Sequence, residues 1–182
     1  MPKLLVLFHS RSPDVIALAE AAVAGARSVR FAEVDLRRLD ASGADAHATA
    51  LGGVGHTHRM LEHVDDVTAY DGLILVLPGA ADAAAPLTET VATLAGSLEN
   101  KVGSVLMTSE GEGRRAIWLA LTPMADRGMI LVPAPFTNAE EPAEDSARRV
   151  GKRVAEVIGW VTHARSHHHE PHHHEQHSHH RH

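Results

Sequence analysis

Apolar and polar residues follow two different periods along this chain. Short apolar runs bounded by turn or charged residues predict buried β-strands. They span Leu4–Phe8, Leu73–Leu77, Val102–Met107 and Met129–Val132. The segment Val29–Leu36 (VRFAEVDL) instead alternates in character, which predicts a strand at the edge of a sheet.

Between these segments apolar residues recur every three or four positions, which predicts four amphipathic helices. Their apolar faces comprise Ile16, Ala19, Ala22, Val23 and Ala26; Leu87, Val91, Leu94 and Leu98; Ile117, Ala120, Leu121 and Met124; and Ala143, Ala147, Val150, Val154, Val157, Ile158 and Val161. Five strands alternating with helices predict an α/β fold, a three-layer doubly wound five-stranded parallel sheet with helices on both faces. We expect the strand order 2-1-3-4-5, in which ligands bind at the carboxyl ends of the strands.

A chain of 182 residues is long enough for one domain with a sizeable core. We expect this domain to span residues 1–164. Residues 38–66 predict a long loop with one short helix around Thr57–Val64. Residues 165–182 are rich in histidine and almost free of apolar residues, so we expect a tail that is disordered without metal.

Composition excludes several classes of protein. Seventeen basic and twenty-three acidic residues give a formal charge of -6, which argues against nucleic acid or an anionic membrane as a partner. The chain has no cysteine, so disulfides, thiolate metal sites and cysteine nucleophiles are excluded. The opening MPKLLVLF lacks the pattern of a signal peptide, and no apolar run approaches the roughly 20 residues of a membrane span. A cytoplasmic protein is expected.

Three loops should meet at the carboxyl edge of the predicted sheet: Ser10–Asp14, Pro78–Pro86 and Thr108–Arg114. In the first, Ser12 suits the N-cap of a helix, Pro13 its first position and Asp14 its positive end, which is a sufficient structural explanation. The same turn also suits an anion site. That site would comprise Ser10, Arg11, Ser12 and the free backbone amides of Asp14 and Val15. Both interpretations remain open from the sequence.

The other two loops offer small residues and backbone groups rather than reactive side chains. The second (LPGAADAAAP) has small residues that let a flat ligand approach the backbone, but no aromatic ring to stack on it. The third (TSEGEGRR) has glycines that let backbone amides face a ligand. The candidate contacts are Pro78, Gly79, Ala80 and Ala81 in the second loop, and Thr108, Ser109, Glu110, Gly111 and Gly113 in the third. No side chain stands out as a catalytic acid, base or nucleophile.

Five blocks in this order carry a resemblance to a known family: KLLVLFHS, AYDGLILVLP, LENKVGSVLMTSEGEG, LTPMADRGMILVP and EDSARRVGKRVAEV. Over roughly residues 3–162 the chain resembles the flavodoxin-like NAD(P)H:quinone oxidoreductases of the WrbA type. The resemblance implies FMN bound at the three loops and a hydride passed from NAD(P)H through the flavin to a quinone. It also implies a homodimer or homotetramer.

The chain departs from the family pattern inside these loops. Pro13 stands at the glycine of the family's phosphate turn, and only Pro78 survives from its second loop. Two glutamates, Glu110 and Glu112, enter the third. A carboxylate about 6 Å from a phosphate dianion costs on the order of 1–5 kcal/mol, depending on the effective dielectric. The alternative is therefore a non-enzymatic flavodoxin-like protein that has lost FMN and binds transition metal through its tail.

Eleven of the sixteen histidines lie between His163 and the end of the chain. Neutral imidazoles suit nickel, copper, zinc and cobalt, and a flexible tail can gather several of them around one ion. The candidate ligands are His167, His168, His169, His172, His173, His174, His177, His179, His180 and His182. A purification tag is the competing explanation, although Glu, Pro, Gln, Ser and Arg interrupt this run and tags are usually uninterrupted.

Overall fold

The computed structural model describes residues 1–10, 12–39, 59, 61, 64–79, 81–93, 97–108, 113–134 and 142–167. In chain order the elements are β1 (Lys3–Phe8), α1 (Pro13–Arg27), β2 (Glu33–Arg38), a 3₁₀ helix (Val64–Ala69), β3 (Gly72–Leu77), α2 (Ala81–Thr93), β4 (Val102–Met107), α3 (Gly113–Asp126), β5 (Ile130–Leu131) and α4 (Ala143–His167). The described strands form one parallel sheet in the order β2-β1-β3-β4-β5. The predicted fold class and strand order are confirmed.

Each face of the sheet carries its own hydrophobic core, because successive side chains of a strand point to opposite faces. Leu4, Val6 and Phe8 of β1 belong to a first core that α1 and α4 cover. Leu5 and Leu7 belong to a second core under α2 and α3. The central strand β3 is buried at every position, as a strand covered on both faces must be. The result is a three-layer α/β/α domain.

Helices α1 and α4 cross with their backbones in contact. A Cβ atom added at Gly25 of α1 would lie 1.9 Å from the carbonyl oxygen of Arg148. A Cβ atom added at Gly151 of α4 would lie 2.0 Å from the carbonyl oxygen of Ala22. Each helix therefore presents a glycine to the carbonyl of the other, and no larger residue fits at either position without separating the helices.

The largest departures from the predicted bounds are in β2, β5 and α2. β2 begins at Glu33 rather than Val29 because residues 28–32 form the turn after α1, in which Phe31 has a positive φ of 69°. The alternation that suggested a longer strand arises partly from Val29, which packs against the first core from this turn. β5 is only Ile130–Leu131. Since α2 ends at Thr93, Leu98 reaches the second core from beyond that helix.

The predicted short helix around Thr57–Val64 lies mostly outside the described residues. Val64 itself begins the 3₁₀ helix, which runs on to Ala69 and leads into β3. Two residues of the Thr57–Val64 segment bond to the end of β2: Arg38 N–H donates to the Arg59 carbonyl at 3.1 Å, and Leu61 N–H donates to the Arg38 carbonyl at 3.0 Å. Residues 59 and 61 thus lie alongside the end of β2.

The last helix continues to His167, past the predicted domain end at residue 164. Its final turns keep polar contacts after the apolar period stops: the Ser166 hydroxyl donates to the Thr162 carbonyl at 2.9 Å, and the Arg165 guanidinium donates to the Asn100 carbonyl. Residues 165–167 are therefore helical, and the rest of the predicted tail lies outside the described residues. Among the described helices, none combines the length and apolar character needed to cross a bilayer.

Candidate functional site

The carboxyl ends of β1, β3 and β4 lie side by side at one edge of the sheet. Phe8 pairs with Val76, and Leu77 pairs with Met107 on the next strand. Beyond these pairs, Thr108 N–H donates to the Leu77 carbonyl at 3.3 Å. The three predicted binding loops therefore start next to one another, as the strand order requires.

Ser12 precedes α1 at the predicted N-cap position, but the hydroxyl that closes the turn between β1 and α1 belongs to Ser10. Ser12 occupies the N-cap position, and its carbonyl accepts the first helical hydrogen bond from Ile16 N–H at 3.2 Å. Its hydroxyl makes no capping hydrogen bond. Instead, Ser12 N–H donates to Ser10 Oγ at 3.0 Å. Within the described residues, neither the Ser10 hydroxyl proton nor the Ser12 hydroxyl has a hydrogen-bond partner, so both can face a ligand.

Among the described residues, two backbone donors at the start of α1 have no partner. The first amides of a helix have no partner within the helix, and Ser12 does not cap those of Asp14 and Val15. Pro13 has no N–H to contribute. The Val15 side chain is buried in the first core, so only its amide can face a ligand. Two amides and two hydroxyls at a positive helix end fit a phosphate group, and the exposed Asp14 carboxylate weakens that fit.

Helices α2 and α3 also begin at this edge, at Ala81 and Gly113. Three helix amino ends, each with a partial positive charge, therefore follow three adjacent strands. Pro78, Gly79 and Thr108 are half-buried at the start of the second and third loops. The remaining predicted contacts lie outside the described residues: Arg11, Ala80, Ser109, Glu110 and Gly111.

His9 belongs to this edge, although it was not among the residues predicted from the sequence. Its Nδ1 lies 2.7 Å from the Leu39 carbonyl oxygen. A carbonyl can only accept, so Nδ1 carries a proton and donates it. Leu39 N–H in turn donates to the Phe8 carbonyl at 2.8 Å. The imidazole connects the end of β2 to the start of the first loop. Its position directly after the apolar run of β1 could have indicated from the sequence that His9 lies at the carboxyl edge of the sheet.

A second group of polar residues lies along β2, away from the three loops. Asp35 and Arg37 pair with Leu5 and Leu7, so they face the side of the second core. The Tyr70 hydroxyl donates to Asp35 Oδ2 at 2.6 Å, and Arg37 Nη2 donates to the same oxygen at 3.3 Å. They line an open groove of about 460 Å³. This group was not predicted, although D-x-R within EVDLRR places both charges on one face of a strand.

These contacts shift two pKa values in opposite directions. The hydrogen bond from the Tyr70 hydroxyl is the main reason that the pKa of Asp35 lies below its ordinary value, and Arg37 lowers it further. Burial raises the pKa of the Tyr70 hydroxyl, and its hydrogen bond to the Asp35 carboxylate adds to the increase. The ionised carboxylate and the neutral phenol are therefore the favoured pair.

Replacing Tyr70 with phenylalanine should lower the free energy of unfolding by about 1 kcal/mol at neutral pH, a modest value because the pair is partly exposed. The contribution of Asp35, whose pKa is lowered, is present above its ordinary value of about 4 and disappears as pH falls through the folded-state value. The contribution of Tyr70, whose pKa is raised, is present below about 10 and disappears as pH rises through the folded-state value. Urea unfolding of the wild type and of Tyr70→Phe at several pH values should show a stability difference between these two pH limits that disappears outside them. An equal difference at every pH would contradict the coupling.

Within the described residues, no group of three or more histidine, aspartate or glutamate side chains is close enough together to hold a metal ion. His167 is the last residue of α4. The other predicted tail ligands, from His168 to His182, lie outside the described residues.

No family model matches the chain, but its sequence is similar to that of a curated protein. The NAD(P)H dehydrogenase (quinone) of Acidithiobacillus ferrooxidans is 30% identical over 149 residues. The alignment covers 77% of this chain and 74% of that protein. Such identity over most of both chains indicates common ancestry rather than a shared motif.

Solved structures show the same architecture at lower identity. A flavodoxin from the domain Archaea has a TM-score of 0.57 and 17% identity, covering 86% of this chain and 99% of its own. A Streptococcus pneumoniae flavodoxin has a TM-score of 0.58 and 16% identity, covering 85% of this chain and 99% of its own. A diflavin flavoprotein A3 from Nostoc sp. has a TM-score of 0.55 and 18% identity, covering 92% of this chain and 98% of its own. The fold is flavodoxin-like.

Proposed function

This chain belongs to the family of the NAD(P)H dehydrogenases (quinone), and from that membership we propose that it is an FMN-dependent oxidoreductase that reduces a quinone with NAD(P)H. The observation that carries the proposal is the donor set at the start of α1. The uncapped amides of Asp14 and Val15 lie where a flavodoxin-like sheet holds its ligand, with the hydroxyls of Ser10 and Ser12 beside them.

The chain itself would supply binding and orientation. The amides of Asp14 and Val15 would hold the phosphate of FMN at the positive end of α1. Pro78, Gly79 and Thr108, at the starts of the other two loops, would border the ring with small groups and backbone atoms. The redox chemistry between NAD(P)H and the quinone would be supplied by FMN bound among these residues. The hydrogen bond from His9 to Leu39 would keep the first loop in place during binding.

Titration of FMN with the purified protein tests the proposal. We expect quenching of flavin fluorescence that saturates at one FMN per chain, and FMN-dependent oxidation of NAD(P)H in the presence of a soluble quinone. Protein that leaves FMN fluorescence unchanged would overturn it.

We also propose assembly into a homodimer or homotetramer, supported by the exposed Trp118 and Leu119 side chains of α3. Light scattering that gives the mass of one chain would contradict this assembly.

The second candidate is a protein without flavin that binds transition metal through its tail. It is favoured by Pro13 and Asp14 in the phosphate turn and by the clustered histidines after His163. Nickel or zinc titration of the full chain and of a chain ending at Arg165 separates the two proposals. Strong binding by the full chain only, with no flavin binding, supports the second.

If the tail binds metal, its affinity should fall steeply between roughly pH 7 and pH 5, because protons compete for imidazoles whose ordinary pKa is near 6.5. The melting temperature of the domain should change little when the tail is removed. Calorimetric metal titrations at several pH values measure the first effect, and thermal unfolding of both chains measures the second. Tight retention of metal at about pH 5 would mean that carboxylates are the main ligands.

A further inference from the structure

The groove along β2 has a floor of charged side chains, most of which pair with one another. Lys3 Nζ lies 3.8 Å from a Glu33 carboxylate oxygen, and Arg37 and Tyr70 both donate to Asp35. These contacts neutralise the groove along β1 and β2. A ligand would therefore meet a hydrated floor with no net charge.

Two lining residues lie outside these pairs. Arg59 and Asp66 both line the groove, and both are exposed. Neither side chain makes a direct ion pair or hydrogen bond with another residue in the part of the chain that the structure describes. The charge of Arg59 does act on Asp35, since it helps to lower the pKa of that carboxyl. Arg59 is fixed at the β2 side, since its carbonyl accepts from Arg38 N–H at 3.1 Å. Asp66 lies on the 3₁₀ helix, Val64–Ala69.

Among its described lining residues, the groove thus offers one cation and one anion that make no direct ion pair, and Leu61 and Ala69 also line it. A volume of about 460 Å³ lies within the range of small-molecule sites. A ligand with a single charge would pair with one of the two residues and be repelled by the other. A ligand carrying a carboxylate and an ammonium group would pair with both.

We propose that this groove binds a small zwitterion of the amino-acid type, with its carboxylate on Arg59, its ammonium group on Asp66 and an apolar side chain against Leu61. The guanidinium of Arg59 can hold a carboxylate through two parallel hydrogen bonds. The groove runs from Lys3 and Glu33, at the amino ends of β1 and β2, to Arg59, which lies beside Arg38 at the carboxyl end of β2. It shares no residue with the three loops. It is therefore independent of the flavin proposal.

Calorimetric titration of the full chain with leucine, 4-methylpentanoate and 3-methylbutylamine tests the proposal, because the last two lack one charged group of the first. We expect leucine to bind at least about tenfold more tightly than either. Arg59→Gln and Asp66→Asn should each weaken leucine binding by at least about tenfold. Both residues are exposed, so the variants should fold, which circular dichroism checks.

Two exposed residues outside the groove provide matched controls. Arg30→Gln and Asp126→Asn make the same changes of charge, and leucine binding should be unaltered in both. The proposal is overturned if leucine does not bind to the full chain, if the acid or the amine alone binds as tightly, or if the groove variants retain the wild-type affinity. FMN binding, measured on the same samples, should not change in the groove variants, so failure here leaves the flavin proposal untouched.

Discussion

Replacing Gly151 with alanine should lower the free energy of unfolding by at least about 3 kcal/mol, a large effect for adding one methyl group. The reason is the helix crossing, where the new Cβ would lie 2.0 Å from the Ala22 carbonyl oxygen. Neither backbone can yield without moving a whole helix away from the first core. Urea unfolding followed by circular dichroism measures the loss.

The same helix contains its own control. A Cβ atom added at Gly159 of α4 would have nothing within 4 Å, so Gly159→Ala should stabilise the protein by about 0.5–1 kcal/mol through the higher helix propensity of alanine. The two variants make the same chemical change eight positions apart. Similar effects in both would show that the helices do not touch at Gly151.

Replacing Asp14 with asparagine should tighten FMN binding by about tenfold or more, because a negative charge beside the phosphate is removed. Restoring a backbone donor with Pro13→Gly should add to the gain. The benefit of Asp14→Asn should shrink as salt rises, since an exposed carboxylate is screened. Fluorescence titrations with FMN at low and high salt measure both effects.

Asp126→Asn is the matched control for this experiment. Asp126 ends α3 at the opposite edge of the sheet, so the same change of charge there should leave FMN affinity unaltered. Removing Asp14 also removes a favourable charge at the start of α1, which costs about 0.3–1 kcal/mol of stability. The titrations should therefore be made well below the melting temperature. Equal affinities for wild type and Asp14→Asn would show that the phosphate is not held at this turn.

The fold was predictable because the burial pattern of its strands is simple. A strand covered on both faces must be largely apolar, so Leu73–Leu77 is visible as an uninterrupted run. Val102–Met107 is interrupted only by Gly103 and Ser104, and the buried Ser104 hydroxyl donates to the Val132 carbonyl at 2.7 Å. The turn before β2 was not predictable from spacing. Val29 is apolar because it packs against the first core from a turn. Phe31 has a positive φ, which is not expected for a phenylalanine.

The candidate site was predictable in its place but not in its contacts. The strand order alone puts Ser10, Pro78 and Thr108 at one edge. Which serine closes the first turn depends on backbone angles. The sequence left capping and anion binding open for Ser12, which takes the N-cap position without a capping hydrogen bond from its hydroxyl. The groove on β2 was missed because its residues come from distant segments, and Asp35 meets Tyr70 only after the sheet has formed.

The contact between α1 and α4 has a consequence for synthesis of the protein in the cell. α1 is among the first elements to leave the ribosome, whereas α4 follows all five strands. Since synthesis proceeds at roughly 5–20 residues per second, the apolar side of α1 stays uncovered for on the order of ten seconds before α4 is made. During that interval the nascent chain exposes Ala22, Ala26 and the neighbouring strand surface to other proteins. We expect the nascent chain to need chaperone protection until α4 emerges.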